Sequence, residues 1–137
     1  MIFITRRERF NAAHRLCKEN LTDQQNYDMF GKCANPNWHG HNYVLWVTLK
    51  GEVDEQTGFL VNLKELSSII NSKIIQKLDH KNINLEVEFM HGKIASTENL
   101  AIAIWQELEE EIMGLQASLH CVKIEETENN FVEYFGK

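Results

Sequence analysis

Only one proline and three cysteines occur among the 137 residues, and 14 basic side chains are outnumbered by 20 acidic ones. Each shortage excludes something. Cys17, Cys33 and Cys121 are odd in number and widely spaced, which argues against a disulfide framework and for free thiols in a reducing compartment. A formal charge of −6 with no basic run argues against a nucleic-acid surface, although clustered cations would still take a small anionic substrate. No apolar run is long enough to cross a bilayer, and the opening MIFITRRERF lacks the apolar stretch and small-residue cleavage site of a secretory signal. What remains, 43% hydrophobic and 25% charged residues, is the composition of one globular domain spanning 1–137, with a cytoplasmic location expected.

The hydrophobic pattern alternates first with period two and later with period 3.6. Residues 2–13 and 41–50 read as strands, the second with Tyr43, Leu45, Val47 and Leu49 on one face. Between them lies a long polar stretch holding Pro36, and loops of that length in a compact domain are usually functional. Asn62 is a plausible cap for a helix with Leu63, Leu66, Ile70 and Ile74 on its stripe, ending near Leu78. Ser96 or Thr97 caps a second helix, whose stripe is Leu100, Ala101, Ile104, Trp105, Leu108 and Ile112 and which ends near Gly114. Two short strands follow, 119–127 and 131–135, joined by Asn129 and Asn130, which tolerate the positive φ of a tight hairpin. The order β-β-α-α-β-β predicts an α+β fold, a four-stranded antiparallel sheet with both helices on one face.

Side chains able to do chemistry concentrate in CANPNWHGHNY, residues 33–43. His39 and His41 leave the same face of a strand with Cβ atoms roughly 6–7 Å apart, a spacing from which two imidazoles reach one ion. His14, ending the first strand, is a third candidate. Three histidines with an open position describe catalytic zinc, whereas Cys33 as a fourth ligand would make a closed structural Cys-His₃ site. Beside a cation and a histidine, the Cys33 thiol can also act as base or nucleophile. Asp79 and His80 are adjacent, an arrangement that orients an imidazole for proton transfer but also fits a solvated helix end. Glu98 is explained equally by the dipole of the second helix. Glu126 falls in line with Val122 and Ile124, an unusual place for an acid without a partner, and a buried carboxylate there would hold an amidine-like edge by two hydrogen bonds.

Six blocks, FNAAHRL, FGKCANPNWHGHNY, GEVDEQTGFLVNL, LDHKN, STEN and EETENN, resemble in order and spacing the 6-pyruvoyltetrahydropterin synthases. The resemblance implies a tunnelling fold, trimers that close their sheets into a barrel, commonly stacked in pairs, and sites shared between subunits. It implies zinc (Zn²⁺) on His14, His39 and His41, and catalysis by Cys33 with Asp79 and His80. It also implies that Glu126 anchors the pterin ring, with Glu98 and Thr97 nearby. The implied reaction is the conversion of 7,8-dihydroneopterin triphosphate to 6-pyruvoyltetrahydropterin with loss of triphosphate and no external redox cofactor. Cys17 and Cys121 match nothing functional. Arg15, Lys32 and Lys81 lie beside the motifs as candidate triphosphate contacts.

Two positions depart from the family pattern: Trp38 stands where the animal enzymes usually carry glycine, and Ala34 replaces a common asparagine. A related branch makes 6-carboxytetrahydropterin from the same substrate, on the route to queuosine, and usually has a shorter interval between the cysteine and HGH. The interval here, Cys33 to His39, resembles that of the pyruvoyl branch.

Overall fold

The computed structural model describes all 137 residues. Its long strands are β1 (Ile2–His14), β2 (His39–Gly51) and β4 (Ser118–Thr127), with β5 (Asn130–Tyr134) at one edge. A two-residue strand, β3 (Lys81–Asn82), pairs in parallel with Ala12 and Ala13 at the other edge, giving the order β3-β1-β2-β4-β5. The sheet is therefore five-stranded and mixed, not the four-stranded antiparallel sheet that periodicity predicts. Two residues are too short a stretch to show a period, and β3 exists because the chain leaving the first helix must run back along β1.

The helix expected over 62–78 is a continuous segment whose middle turn is wide: α2 (Leu63–Ile70), a π-type turn (Asn71–Ile75) and α3 (Gln76–Leu78). Asn62 caps it by accepting the Lys64 and Glu65 N–H groups. Leu66, Ile70, Ile74 and Leu78 are fully buried, while Leu63, in the first turn, faces outward. Further on, α5 (Thr97–Met113) is capped by Ser96 and buries its whole expected stripe. These two helices cover the face of the sheet carrying Phe10, Tyr43, Leu45, Val47, Leu49, Val122 and Ile124, so that 27 buried residues form one contiguous core.

Three details were not expected. The long polar stretch contains α1 (Asp23–Phe30), opened by a capping box in which Thr22 and Gln25 bond each other's backbone N–H. A short helix, α4 (Ile83–Glu86), follows β3. The final hairpin forms where expected, but neither Asn129 nor Asn130 takes a positive φ. Thr127 Oγ1 instead accepts the Asn129 N–H, and a bulge at Glu126 absorbs the twist that a primed turn would have supplied.

Candidate active site

The antiparallel register sets His14 directly opposite His39, and His41 follows two residues along the same face. The three rings come together pairwise, with centroids 4.6 Å apart for His14 and His39 and 5.1 Å for each pair involving His41. One ring nitrogen from each lies within 4.8 Å of the others, close enough for one ion to take all three after small ring rotations. Gly40 permits the close pairing of the strands: a Cβ there would stand 3.1 Å from the Ala12 carbonyl oxygen.

Several features suit these rings to a cation. His14 is buried, and its Nδ1 lies 2.7 Å from the carbonyl oxygen of Ala95, the contact of an N–H donor. That leaves Nε2 as the lone-pair nitrogen, and it is buried without a partner. His41 Nε2 is also buried and, although 3.1 Å from Glu126 Oε1, is not aligned to hydrogen-bond it. Burial lowers the proton affinity of His14, opposed by the Ala95 bond and aided by the charges of His39 and His41. Burial, then His41, does the same for His39. Neutral imidazoles with orphaned nitrogens are the form that binds a divalent metal. Cys33 stands outside this group, exposed on a 3₁₀ turn (Gly31–Ala34) whose Cys33 carbonyl accepts the Leu16 N–H. A closed Cys-His₃ site is not what the fold builds.

Glu126 reaches the histidines because it follows Val122 and Ile124 on the core face of β4, and the β2–β4 register, with Leu45 opposite Ile124 and Val44 opposite Glu125, carries it past Tyr43 toward His41. On its other side it is the extra residue of a bulge, with no partner on β5. Its Oε2 accepts a hydrogen bond from the buried Thr97 hydroxyl while Oε1 sits beside His41. Glu98, the residue after Thr97, is exposed and is not among the three converging ligands. Asp79 and His80 also lie apart from it: Asp79 Oδ1 accepts the Asn11 N–H at 2.9 Å, and Oδ2 is 3.0 Å from His80 Nδ1. The Asn11 amide holds Asp79 below the usual carboxylate range, so it stays charged beside an imidazole whose side chain is 81% exposed. His80 takes a left-handed φ of 61°, and its N–H donates to the Asn11 carbonyl. This pair therefore faces outward from the edge of β1.

Tyr43 was legible as strand core but not as part of the site. Alternation from His39 and His41 puts it on their face, where its ring lies 5.5 Å from His41 and 6.0 Å from His14. Its hydroxyl is buried without a partner, and burial together with the Glu126 charge keeps it protonated. The Ala95 carbonyl has no sequence signal, since backbone acceptors are anonymous until the fold places them.

A family model described as 6-pyruvoyl tetrahydropterin synthase matches residues 3–137. The 6-pyruvoyl tetrahydrobiopterin synthase of Dictyostelium discoideum is 46% identical over 136 residues, covering 99% of this chain and 97% of its own. That of Homo sapiens is 43% identical over 135 residues, 98% of this chain and 91% of its own. A solved structure of the Caenorhabditis elegans 6-pyruvoyl tetrahydropterin synthase superposes with a TM-score of 0.91 at 39% identity, covering 99% of this chain and 96% of that one. Matching the family over residues 3–137 and these relatives over more than nine-tenths of their length, the chain belongs to the 6-pyruvoyl tetrahydropterin synthase family.

Proposed function

We propose that this chain, acting as a single cytoplasmic domain, is a zinc-dependent lyase that converts 7,8-dihydroneopterin triphosphate to 6-pyruvoyltetrahydropterin and releases triphosphate. The observation that carries the proposal is the convergence of three histidines, two with orphaned buried nitrogens, beside a carboxylate held by Thr97. Relatives at 43–46% identity over almost the whole chain bear the name of that activity.

His14, His39 and His41 would hold zinc, which when bound acts as a Lewis acid that makes neighbouring C–H bonds more acidic. The chain's own residues do the rest. Glu126 accepts N–H groups from the pterin edge and fixes the ring in register, with Thr97 orienting the carboxylate and Glu98 at the mouth. Cys33 takes and returns protons at the side chain, and His80, oriented by Asp79, exchanges them with it. Because Asp79 and His80 face outward from the edge of β1, a neighbouring subunit receives them. The sheet supports that assembly: β5 is a free edge, and β1 is unpaired along residues 2–10 on its outer side. Closing such edges on one another gives the trimeric barrel, alone or stacked as a dimer of trimers.

Incubating the zinc-loaded protein with 7,8-dihydroneopterin triphosphate tests the proposal, with mass spectrometry of the product. Triphosphate and 6-pyruvoyltetrahydropterin are expected. Acetaldehyde with 6-carboxytetrahydropterin would move the chain to the branch leading to queuosine, and no turnover with stoichiometric zinc would end the lyase assignment.

A further inference from the structure

A cavity of about 720 Å³, within the range of small-ligand sites, has none of the three histidines in its own lining. It joins them through chain neighbours: Arg15 follows His14, Trp38 precedes His39, and Ile94 precedes Ala95, whose carbonyl holds His14. Three cations line it, Arg15, Lys18 and Lys93, with His91 beside them and the carboxylates of Glu19 and Asp23. Asp23 is 3.6 Å from Arg15 Nη2 but 74% exposed, so solvent screens it, whereas the Arg15 side chain is only 12% exposed.

Arg15 is held in place more firmly than a surface cation needs to be. One Nη2 donates to the Ala34 carbonyl at 2.9 Å, the guanidinium lies 5.5 Å from the Trp38 ring centre, and Nε is buried with no partner. Trp38 itself sits at a φ of 69°, a costly conformation for an aromatic residue that puts its ring beside the arginine. Asn26, buried, bonds both backbone groups of Lys18 and fixes that wall too. Lys32 does not line the cavity, and Lys81, 3.8 Å from Glu86, lies outside it.

We propose that this cavity is the polyphosphate subsite, with Arg15, Lys18 and Lys93 as its cations and Trp38 as the residue that positions Arg15. The cations and the preset guanidinium argue for an anion on their own chemistry. Naming that anion as the substrate's triphosphate rests on the lyase proposal. The layout agrees with it: Glu126 lies beside His41, the histidines come next, and Arg15 with Trp38 lies beyond His14 and His39. Ring, hydroxylated side chain and triphosphate follow one another in the same order in the substrate.

Calorimetric titration of the zinc-loaded, full-length protein with inorganic triphosphate tests this without turnover. Wild type is expected to bind, with affinity falling as salt rises, and the surface double variant Lys18→Ala/Lys93→Ala to bind at least about 10-fold more weakly. Its zinc content, melting temperature and affinity for 7,8-dihydroneopterin, which lacks phosphates, should be unchanged. Arg15→Lys keeps the charge but loses the planar fork, and should also weaken triphosphate binding. Absence of binding by wild type, or equal binding by the double variant, overturns the subsite. Triphosphate binding that the variants weaken, in a protein that never turns over dihydroneopterin triphosphate, would sink the lyase proposal and leave the subsite standing.

Discussion

Glu126 Oε1 lies 3.1 Å from His41 Nε2 while Oε2 accepts the Thr97 hydroxyl, so a single carboxylate joins the histidine cluster to the first turn of α5. Replacing it with glutamine keeps the shape but removes the charge and half of the acceptor capacity. Hydrogen bonds to charged groups contribute about 1.5–3 kcal/mol, so Glu126→Gln should weaken pterin binding roughly 10- to 150-fold. Zinc content should stay stoichiometric, because the carboxylate is not among the three converging ligands. A fluorescence titration with a pterin, paired with metal analysis, separates the two effects.

Metal-free protein should lose stability as the solution is made acidic. His14 and His39 both have proton affinities lowered in the fold, chiefly by burial, so the unfolded chain binds protons more readily than the native one. Their contribution is neutral above about pH 6.5, the ordinary histidine value, and turns unfavourable as the pH falls below it. Melting temperatures measured from pH 7.5 to 5.5 with a chelator should therefore drop. Zinc should raise the melting temperature at pH 7.5 and be released on acidification, and His14→Ala should abolish the zinc-dependent rise. A chelated protein equally stable at both pH values would contradict the burial of these rings.

Cys33 is exposed and stands outside the histidine group, which separates two roles that the spacing alone left open. Cys33→Ala should retain zinc and melting temperature and lose activity by about 10²-fold or more, the usual size of a positioned acid–base group. His80→Ala should do the same. If the outward-facing Asp79–His80 pair serves a neighbour, unfolding and refolding the two inactive variants together should restore activity. About a quarter of the sites in randomly mixed oligomers would pair an intact thiol with an intact imidazole. No recovery would place both groups in the same subunit's site.

The Tyr43 hydroxyl is the one orphaned polar group in the site with no proposed ligand. An unsatisfied buried hydroxyl costs about 1–3 kcal/mol, so Tyr43→Phe should be neutral or stabilising by about 1 kcal/mol in urea unfolding. The packing against Phe10, His14 and His41 would remain. A destabilised Tyr43→Phe protein would show that the hydroxyl has a partner, such as a bound water.

Most of the scaffold was legible because long elements carry long periods. The alternation of Tyr43, Leu45, Val47 and Leu49 and the stripes of the two main helices are burial patterns, and all but Leu63 are buried as expected. Leu63 misleads because, although it keeps the helical spacing, it stands in the first turn of α2 and is exposed. Short elements were not legible: β3 has too few residues to show a period, and α1 buries only Asn26, so its Thr22–Gln25 capping box was the only signal available. Gly114 ends α5 at an ordinary helical φ, and the left-handed turn falls on Gln116 instead. In the site, the three histidines and the face taken by Glu126 followed from strand alternation, but that Thr97 and His41 would be the neighbours of its carboxylate did not. Asp79 and His80 were visible as a pair, but that they stand at the edge of β1, outside the histidine group, depends on the turn that leads into β3.

Trp38 offers the sharpest test of how local strain is used. A tryptophan at φ 69° costs about 1–3 kcal/mol relative to glycine, and a partly buried ring–guanidinium contact returns about 0.5–2 kcal/mol. Trp38→Gly should therefore leave stability within about 1 kcal/mol of wild type or raise it, so the tryptophan is not there to hold the fold together. If it positions Arg15 for an anion, the variant should raise KM for the triphosphate substrate several-fold while kcat changes little. Affinity for dephosphorylated dihydroneopterin should stay the same. A fall in kcat with unchanged KM would point instead to His39, the next residue, and mean that the strained turn aims a histidine at the metal site and not an arginine at the phosphates.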